Sequence, residues 1–304
     1  MQQFDEGSGA KLGASEALPA DEALPADEAL TAGERWGIWI DRIVRLAMLG
    51  VAAGWLAGCT TLGPVPTVTG QAVSPEPRSN LEAQVGAVPG YFLSSAVRSD
   101  PKGSPIQQGA GMFDPEDLIG VKGVGVGGRV IGGGDEGPYG EPMVRYRGYV
   151  DSEDRLAMGG LVYGTKASGG ASHASYSMTR IGGEYALDFR LTPKSEWVEV
   201  HLTGGVGLLS LDAQGRYCQG SDGFGTDCDE QQPNAAVSVD GFYPTVFAGA
   251  NFDLFRHLDS VFHGARLGLL FAAGQMPRVQ DAEQASATGY ASGGATLTLM
   301  LGGL

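Results

Sequence analysis

The chain has 304 residues, including 50 Gly and 16 Pro, and its 20 Lys and Arg against 35 Asp and Glu give a formal net charge of -15. Glycine and proline exceed ordinary usage without the strict period of collagen, and a hydrophobic fraction of 42% is too high for a disordered chain. The acidic balance also excludes the basic surface on which nucleic-acid binding depends.

The first 58 residues have the composition of a targeting segment. Residues 1–41 are acidic and of low complexity, and Arg42 and Arg45 then precede an apolar run over 46–58. A core of this length behind a basic flank is typical of a signal peptide and is too short for a spanning helix. We therefore predict that residues 1–58 are absent from the mature protein. Because an acidic leader is unusual before such a core, we also hypothesise that translation starts near Val44.

The stretch Leu56-Ala57-Gly58-Cys59 resembles the lipobox of bacterial lipoproteins. In that family the cysteine is diacylated and becomes the mature N-terminus, so the resemblance implies a lipid anchor on Cys59. Thr60 is not the Asp that marks inner-membrane retention in the enterobacterial members, and the resemblance therefore implies the outer membrane. The alternative is a chance cysteine behind an ordinary signal peptide.

The segment 59–117 has the composition of an extended linker. Its prolines are scattered through Ser, Thr and Gly at Pro64, Pro66, Pro75, Pro77, Pro89, Pro101, Pro105 and Pro115. Because frequent proline opposes regular helix and sheet pairing, we predict a lipidated, Pro-rich periplasmic spacer. An apolar patch at 89–98 leaves two alternatives open, a short helix and docking on one end of the folded domain.

From about residue 118 the sequence alternates with a period of two, which is the signature of β-strands. In 174–191 one face is apolar and the other carries Arg180, Glu184, Asp188 and Arg190. Further runs lie at 120–131, 142–150, 154–165, 197–211, 243–255 and 262–273, and a closing run ends at Leu301. These are eight strands of about 10–14 residues, which is longer than soluble strands and long enough to span a membrane.

The connections between these runs alternate between long and short. We expect long connections at 132–141, 166–173, 213–240 and 275–288, and short ones at 151–154, 192–196 and 256–260. Outer-membrane barrels combine short periplasmic turns with long outer loops, whereas a soluble sandwich has no reason to sort its loops in this way.

The region 118–304 resembles the small eight-stranded outer-membrane barrels of the outer-membrane protein A type. The resemblance lies in the pattern of strands and loops, and it implies an all-β, antiparallel, up-and-down transmembrane barrel after an irregular N-terminal extension. Members of that family commonly end in an aromatic residue in phase with the lipid-facing side chains. This chain ends instead in Leu304, which is out of phase with Leu301.

The charged face of such a barrel is expected to fill its interior. Eight strands leave an interior just wide enough for side chains, and buried charges are costly unless they are paired. We therefore predict a narrow, filled lumen with an ion-pair network. Its predicted members are Arg145, Arg147, Arg180, Glu184, Asp188, Glu199, His201 and Arg266.

Cys218 and Cys228 lie in the longest predicted loop and are the two cysteines that remain when Cys59 is acylated. An exported chain folds in an oxidising space, so we predict a disulfide between them. The same loop carries Asp222, Asp227, Asp229 and Glu230. These residues lack the spacing of known calcium loops, and we expect a solvated acidic loop with neither a metal site nor a cofactor.

His173 and Ser175 are similar to the His-x-Ser pair of outer-membrane lipid A deacylases, and Glu184 lies downstream. A serine nucleophile needs a histidine within hydrogen-bond reach and a carboxylate that orients it. His173 falls in a Gly/Ala/Ser loop, however, and Glu184 belongs to the lumenal face. We therefore interpret His173 as an ordinary loop residue and expect no catalytic site.

The leading hypothesis is a monomeric outer-membrane lipoprotein, surrounded by membrane lipid, with a structural or surface-interaction role. Two alternatives come from other classes: a lipid hydrolase, and a lipid-tethered soluble barrel that binds a small apolar ligand. The soluble barrel needs apolar residues inside and polar residues outside. Alternation by itself does not distinguish the two arrangements.

Overall fold

A computed structural model gives the fold of residues 63–72, 81–93, 103–115, 120–132, 138–171, 174–195, 197–218, 234–255, 262–281 and 284–302. All of these residues belong to the compact unit Val44–Leu304. Within them, no helix combines the length and the apolar character needed to cross a membrane.

The described residues form an antiparallel sheet of eleven strands. In chain order the strands are β1 (Pro64–Pro66), β2 (Leu81–Phe92), β3 (Ser104–Phe113), β4 (Val124–Ile131), β5 (Tyr139–Tyr149), β6 (Leu156–Ala171), β7 (Ala174–Arg190), β8 (Val198–Cys218), β9 (Asn234–Leu254), β10 (Phe262–Asp281) and β11 (Gln284–Leu301).

Strands β2 to β11 close into a barrel. Each strand from β3 to β11 pairs with its neighbour in the chain, and β2 pairs with both β3 and β11. The closing ladder runs from Leu81↔Leu301 to Ala87↔Ala295. β1 pairs only with the end of β2, through Pro64↔Phe92, and is not a member of the ring. The predicted all-β, antiparallel barrel is therefore confirmed.

The predicted number of eight strands is wrong, because the ring contains ten. The two additional strands, β2 and β3, lie within the segment interpreted as a Pro-rich spacer. Pro89 and Pro105 are direct partners across the β2–β3 ladder, and the Pro89 carbonyl oxygen accepts from the Thr67 backbone N–H at 3.0 Å, on the side away from β3. The N–H and C=O of one strand residue point to the same side, so the missing N–H groups of this pair leave the hydrogen bonds between β2 and β3 intact. The wall of the barrel therefore begins at Leu81, and the patch predicted to dock or to form a helix contributes the end of β2.

In three connections expected to be long loops, the described residues extend the strands of the hairpins. β6 and β7 pair as far as Ala171↔Ala174, β8 and β9 as far as Cys218↔Asn234, and β10 and β11 as far as Asp281↔Gln284. This end of the barrel is the hairpin end. The opposite end, where β5 joins β6 and β7 joins β8, is the turn end.

Side chains alternate between the two surfaces of the barrel. In β7, Arg180 and Glu184 are buried whereas Ile181 and Leu187 are exposed. Large apolar residues are exposed in the same way on β4, β5, β6 and β8 to β11: Val126, Val130, Val144, Tyr146, Val162, Leu202, Val206, Leu208, Phe242, Val246, Leu267, Leu269, Phe271 and Leu297. These residues, with Ile181, Tyr185, Leu187 and Phe189 of β7, form the apolar belt of the barrel.

The apolar belt ends in a row of exposed polar residues toward the hairpin end. The row crosses β6 to β9 through ladder partners, in the order Lys166, Thr179, Asp212 and Asp240. Beyond it the outward residues are polar, as at Ser177 and Gln214. At the turn end, by contrast, exposed apolar residues persist to the strand ends, at Leu191, Val198 and Phe255.

Candidate functional site

Residues 63–72 occupy the interior of the barrel and are referred to below as the plug. Val65 and Val68 have no exposed surface, and the plug is buried along nearly its whole length. It makes hydrogen bonds with inward-facing side chains of β3, β5, β7 and β11. These strands lie on different sides of the ring, so a segment bonded to all of them lies inside it.

The plug enters the interior against the end of β2. Val88, Pro89, Gly90 and Tyr91 are buried in succession, which shows that both faces of β2 are covered here. This part of β2 lies beyond Ala87, the last residue of β2 that pairs with β11, and Gly86 directly precedes that residue. Gly86 has a φ of 142°, and a Cβ there would overlap the carbonyl oxygen of Ala295. Glycine therefore allows β2 to change its partner from β11 to β1.

Arg129, Glu141 and Arg180 form a fully buried ion-pair cluster beside the plug. The Glu141 carboxylate accepts from Arg129 Nε at 2.6 Å and from Arg180 Nη2 at 3.3 Å. The Tyr163 ring lies within cation–π range of both guanidinium groups, with centroid distances of 4.8 and 5.3 Å. Arg180 also donates to the carbonyl oxygen of Pro66 at 3.1 Å. The cluster thus joins β4, β5 and β7 to the plug.

Glu184 binds the plug from β7. The Thr69 backbone N–H donates to Oε1 at 2.7 Å, and the Thr69 hydroxyl donates to Oε2 at 3.0 Å. From β3, Gln108 Nε2 donates to the carbonyl oxygen of Thr69 at 2.8 Å. The N–H, C=O and hydroxyl of Thr69 are therefore all bonded, to two strands of the wall.

A second ion-pair cluster lies near the turn end. Glu82 accepts from Arg145 Nη1 at 2.8 Å and from Arg147 Nη1 at 2.7 Å, and both arginines also pair with Asp114. Arg145 donates in addition to the carbonyl oxygen of Gln71 at 3.3 Å. This cluster joins β2, the residue that follows β3, and β5 to the last part of the plug.

A third cluster spans the turn ends of β7 to β10. His201 Nδ1 lies 2.7 Å from Asp188 Oδ2, and His201 Nε2 lies 3.2 Å from Asp253 Oδ2 and 3.5 Å from Glu199 Oε2. Arg266 pairs with Asp253, with Nε 2.5 Å from Oδ1. The Asp188 carboxylate thus orients the imidazole, and the other ring nitrogen faces two more carboxylates.

Glu199, His201 and Asp253 have the geometry of a metal site, because their ligand atoms lie within 4.8 Å of one another. Both Asp253 oxygens, however, already accept from Arg266, at 2.5 and 3.0 Å. Glu199 Oε1 likewise accepts from the Ser195 backbone N–H at 3.0 Å. A divalent cation would have to displace these donors, so we interpret the group as an ion-pair cluster.

The structure places all eight residues of the predicted lumenal network in the interior. Glu184 binds the plug, and the other seven belong to the three ion-pair clusters: Arg145, Arg147, Arg180, Asp188, Glu199, His201 and Arg266. Sequence reasoning missed Glu82, Asp114, Arg129, Glu141 and Asp253 as members of the clusters. Glu82 and Asp114 lie in the segment interpreted as a spacer, and Glu141 was assigned to a loop. A usable signal was present, because Glu141 has the same strand parity as Arg145 and Arg147.

Several predicted sites lie outside the described part of the chain. Cys59 precedes the first described range, and His173 and Cys228 fall between described ranges. Ser175 and Cys218 lie within β7 and β8, but their side chains are outside the described part of the structure. Acylation, the disulfide and the His-x-Ser pair therefore stay predictions.

No protein-family model matches the chain, and no curated protein matches it at a significant level. The functional conclusion accordingly rests on the geometry of the barrel and its interior.

Proposed function

We propose that this chain is an outer-membrane β-barrel lipoprotein with a structural or surface-interaction role, whose lumen is filled by its own plug. The observation that carries the proposal is the inverted polarity of the barrel. Charged residues such as Arg145 and Arg180 are fully buried inside, whereas large apolar residues such as Val162 and Phe271 are 60 and 67% exposed outside. Water as the outer solvent opposes this arrangement, and hydrocarbon favours it.

The dimensions of the apolar belt support a membrane setting. On β7 the outward apolar residues extend from Ile181 to Leu191, a length that matches the 9–11 residues of a tilted membrane-spanning strand. At the turn end, the exposed rings of Trp197 and Phe255 pack edge to face with centroids 6.4 Å apart. Aromatic residues at the border of an apolar band are typical of membrane barrels.

The interior favours a filled barrel over a ligand-binding one. A soluble barrel that binds an apolar ligand needs an apolar cavity and a polar outer wall. Here the described interior holds three ion-pair clusters, and the plug is bonded to strands on several sides of the ring. The same packing supports a barrel without a wide aqueous channel.

The hairpins that extend beyond the apolar belt supply the surface for interaction. Strands β6 to β9 continue past the row of Lys166, Thr179, Asp212 and Asp240, and their outward side chains there are polar. We propose that these hairpins project from the membrane and present this surface to partners or to the medium.

The membrane assignment is tested with a chain that has no lipid. Residues 60–304 are exported behind an ordinary cleavable signal peptide, so that Cys59 is absent, and the membranes are extracted with alkaline carbonate. The wild-type chain, treated in parallel, is the control. We expect the lipid-free chain to stay in the membrane pellet and to change its gel mobility on boiling, as a closed barrel does when it unfolds.

The contrary result is equally clear. A lipid-free chain that carbonate releases into the supernatant while it retains its fold would be a tethered soluble barrel, and the proposed function would be wrong.

A further inference from the structure

The plug has a defined direction in the barrel. At its start, the carbonyl oxygen of Gly63 accepts from the Leu93 backbone N–H at 3.1 Å, and Leu93 follows the last residue of β2 at the hairpin end. Near its other end, Gln71 is bonded to Arg145, which also binds Glu82, the second residue of β2. The plug therefore runs antiparallel to β2, from the hairpin end toward the turn end.

Gly63 lies beyond the hairpin-side border of the apolar belt. The Cα of Gly63 is so close to Tyr176 that an added Cβ would lie 2.8 Å from the tyrosine ring. Tyr176 precedes Thr179 by three residues in β7 and therefore lies nearer the hairpin end than Thr179, where the outward side chains become polar. Gly63, the first described residue of the plug, thus lies at the hairpin end of the barrel.

The short distance in sequence between Cys59 and Gly63 decides which leaflet an acyl chain on Cys59 can enter. The four residue steps from Cys59 to Gly63 span at most about 14 Å when fully extended. The apolar band of a membrane barrel is about 25 Å tall. From Gly63, an acylated Cys59 therefore reaches the membrane surface at the hairpin end but not the one at the turn end.

We propose that the plug fixes the acylated N-terminus on the same side of the membrane as the β6–β11 hairpins, so that the lipid of Cys59 inserts into the outer leaflet. This inference rests on the proposed function, namely that the barrel spans the outer membrane and that Cys59 is acylated. The side is set by the rule that membrane barrels keep their short turns in the periplasm. The strands end within the apolar belt at the turn end and project beyond it at the hairpin end.

The contacts of the plug explain how this arrangement is held. Tyr139 donates to the carbonyl oxygen of Pro64 at 2.6 Å, and Arg180 donates to that of Pro66 at 3.1 Å. These two bonds anchor the plug directly after its entry. Before these two bonds in the chain, the acyl group on Cys59 would hold the N-terminus in the membrane. After them, the ladder of β2 with β11 holds the chain in the barrel wall.

The test compares three single cysteines in a full-length chain that retains Cys59 and in which Cys218 and Cys228 are replaced by serine. Thr61→Cys reports on the N-terminus, Ser286→Cys on an exposed position of the β10–β11 hairpin, and Ser152→Cys on an exposed position of the β5–β6 turn. Each variant is treated with a large polyethylene-glycol maleimide that does not cross the outer membrane, first in intact cells and then after permeabilisation. A clickable fatty acid, supplied during growth, reports acylation.

We expect cysteines at positions 61 and 286 to be modified in intact cells, the one at 152 to be modified only after permeabilisation, and the chain to carry the fatty acid. Modification at 61 that requires permeabilisation, or that requires unfolding, overturns the inference while the barrel stands. Exposure of position 152 in intact cells with protection of 61 and 286 overturns the assignment to the outer leaflet. If the cysteines at positions 152 and 286 are modified under the same condition, they lie on the same side of the membrane, and the proposed function itself is refuted. A chain that carries no fatty acid refutes it as well.

Discussion

Thr69 of the plug is bound to the Glu184 carboxylate of β7 by two hydrogen bonds, one from its backbone N–H at 2.7 Å and one from its hydroxyl at 3.0 Å. Each carboxylate oxygen thus accepts from a different donor of the same residue. The pair is 115 residues apart in sequence, and both partners are buried. This contact links the segment that fills the barrel directly to the wall.

Replacing this carboxylate is expected to loosen the plug. Glu184→Gln keeps the shape but exchanges one accepting oxygen for an NH₂ group that faces a Thr69 donor. We expect a loss of about 1–3 kcal/mol of unfolding free energy, the cost of leaving a buried hydrogen-bond donor without an acceptor. Urea unfolding in lipid vesicles, followed by gel mobility, measures it. Glu153→Gln, at a largely exposed ion pair with Arg155, is the control and should leave the midpoint unchanged. Equal shifts in both variants would contradict the role of Glu184.

The Arg129–Glu141–Arg180 cluster predicts non-additive mutations. Glu141→Gln leaves two buried arginines without their shared carboxylate, and we expect a loss of about 3–5 kcal/mol. Adding Arg180→Met to this variant removes one of the uncompensated charges. The double variant should therefore be less destabilised than the sum of the two single variants. Strict additivity, measured by urea unfolding of all three variants, would show that the three side chains do not act as a unit.

The apolar belt predicts that the effect of an outward arginine depends on its position along β7. Leu187 lies near the middle of the outward apolar run, and Thr179 lies in the polar row that borders it. We expect Leu187→Arg to lose about 2–4 kcal/mol and Thr179→Arg about 0–1 kcal/mol, as for other membrane barrels. Unfolding in vesicles compares the two variants. A similar small effect at both positions would indicate that the outer surface faces water.

Gly204 and Gly205 are adjacent in β8 but face opposite surfaces of the barrel. We therefore expect replacement by alanine to affect the stability of the barrel differently at the two positions. Gly205 faces inward, where a Cβ would overlap the carbonyl oxygen of Tyr185 and the ring of Phe247. Gly204 faces outward, and its nearest neighbour would be the Phe247 carbonyl oxygen at 3.7 Å. We expect Gly205→Ala to destabilise the barrel by about 1–3 kcal/mol, because a backbone atom has to move. Gly204→Ala should fold like the wild type, and thermal gel-shift midpoints of both variants provide the comparison.

Much of the barrel is predictable from the sequence because the period of a strand fixes which side chains share a face. The alternation of Arg180, Glu184 and Asp188 with Ile181 and Leu187 separates the interior from the exterior of β7. The alternation does not indicate, however, which face of the strand lies inside the barrel. The structure shows that the charged face is the buried one.

The strands β2 and β3 were not predictable, because proline and glycine mask their alternation. Pro89 and Pro105 oppose strand formation when each is considered alone, and their placement opposite one another depends on register. The plug was not predictable either. Its contacts, such as Thr69 with Glu184 and Gln71 with Arg145, join residues far apart in the chain, and no local pattern records them.

The central claim, that residues 63–72 fill the lumen of a closed barrel, is tested most directly by amide hydrogen exchange of the intact protein in lipid vesicles. The N–H groups of Thr67 and Thr69 are bonded to Pro89 and Glu184 inside the barrel. They should therefore exchange as slowly as the β7 amides and lose protection only when the barrel unfolds. Rapid exchange of residues 63–72 while β7 remains protected would show that the segment lies outside the lumen and would contradict the account.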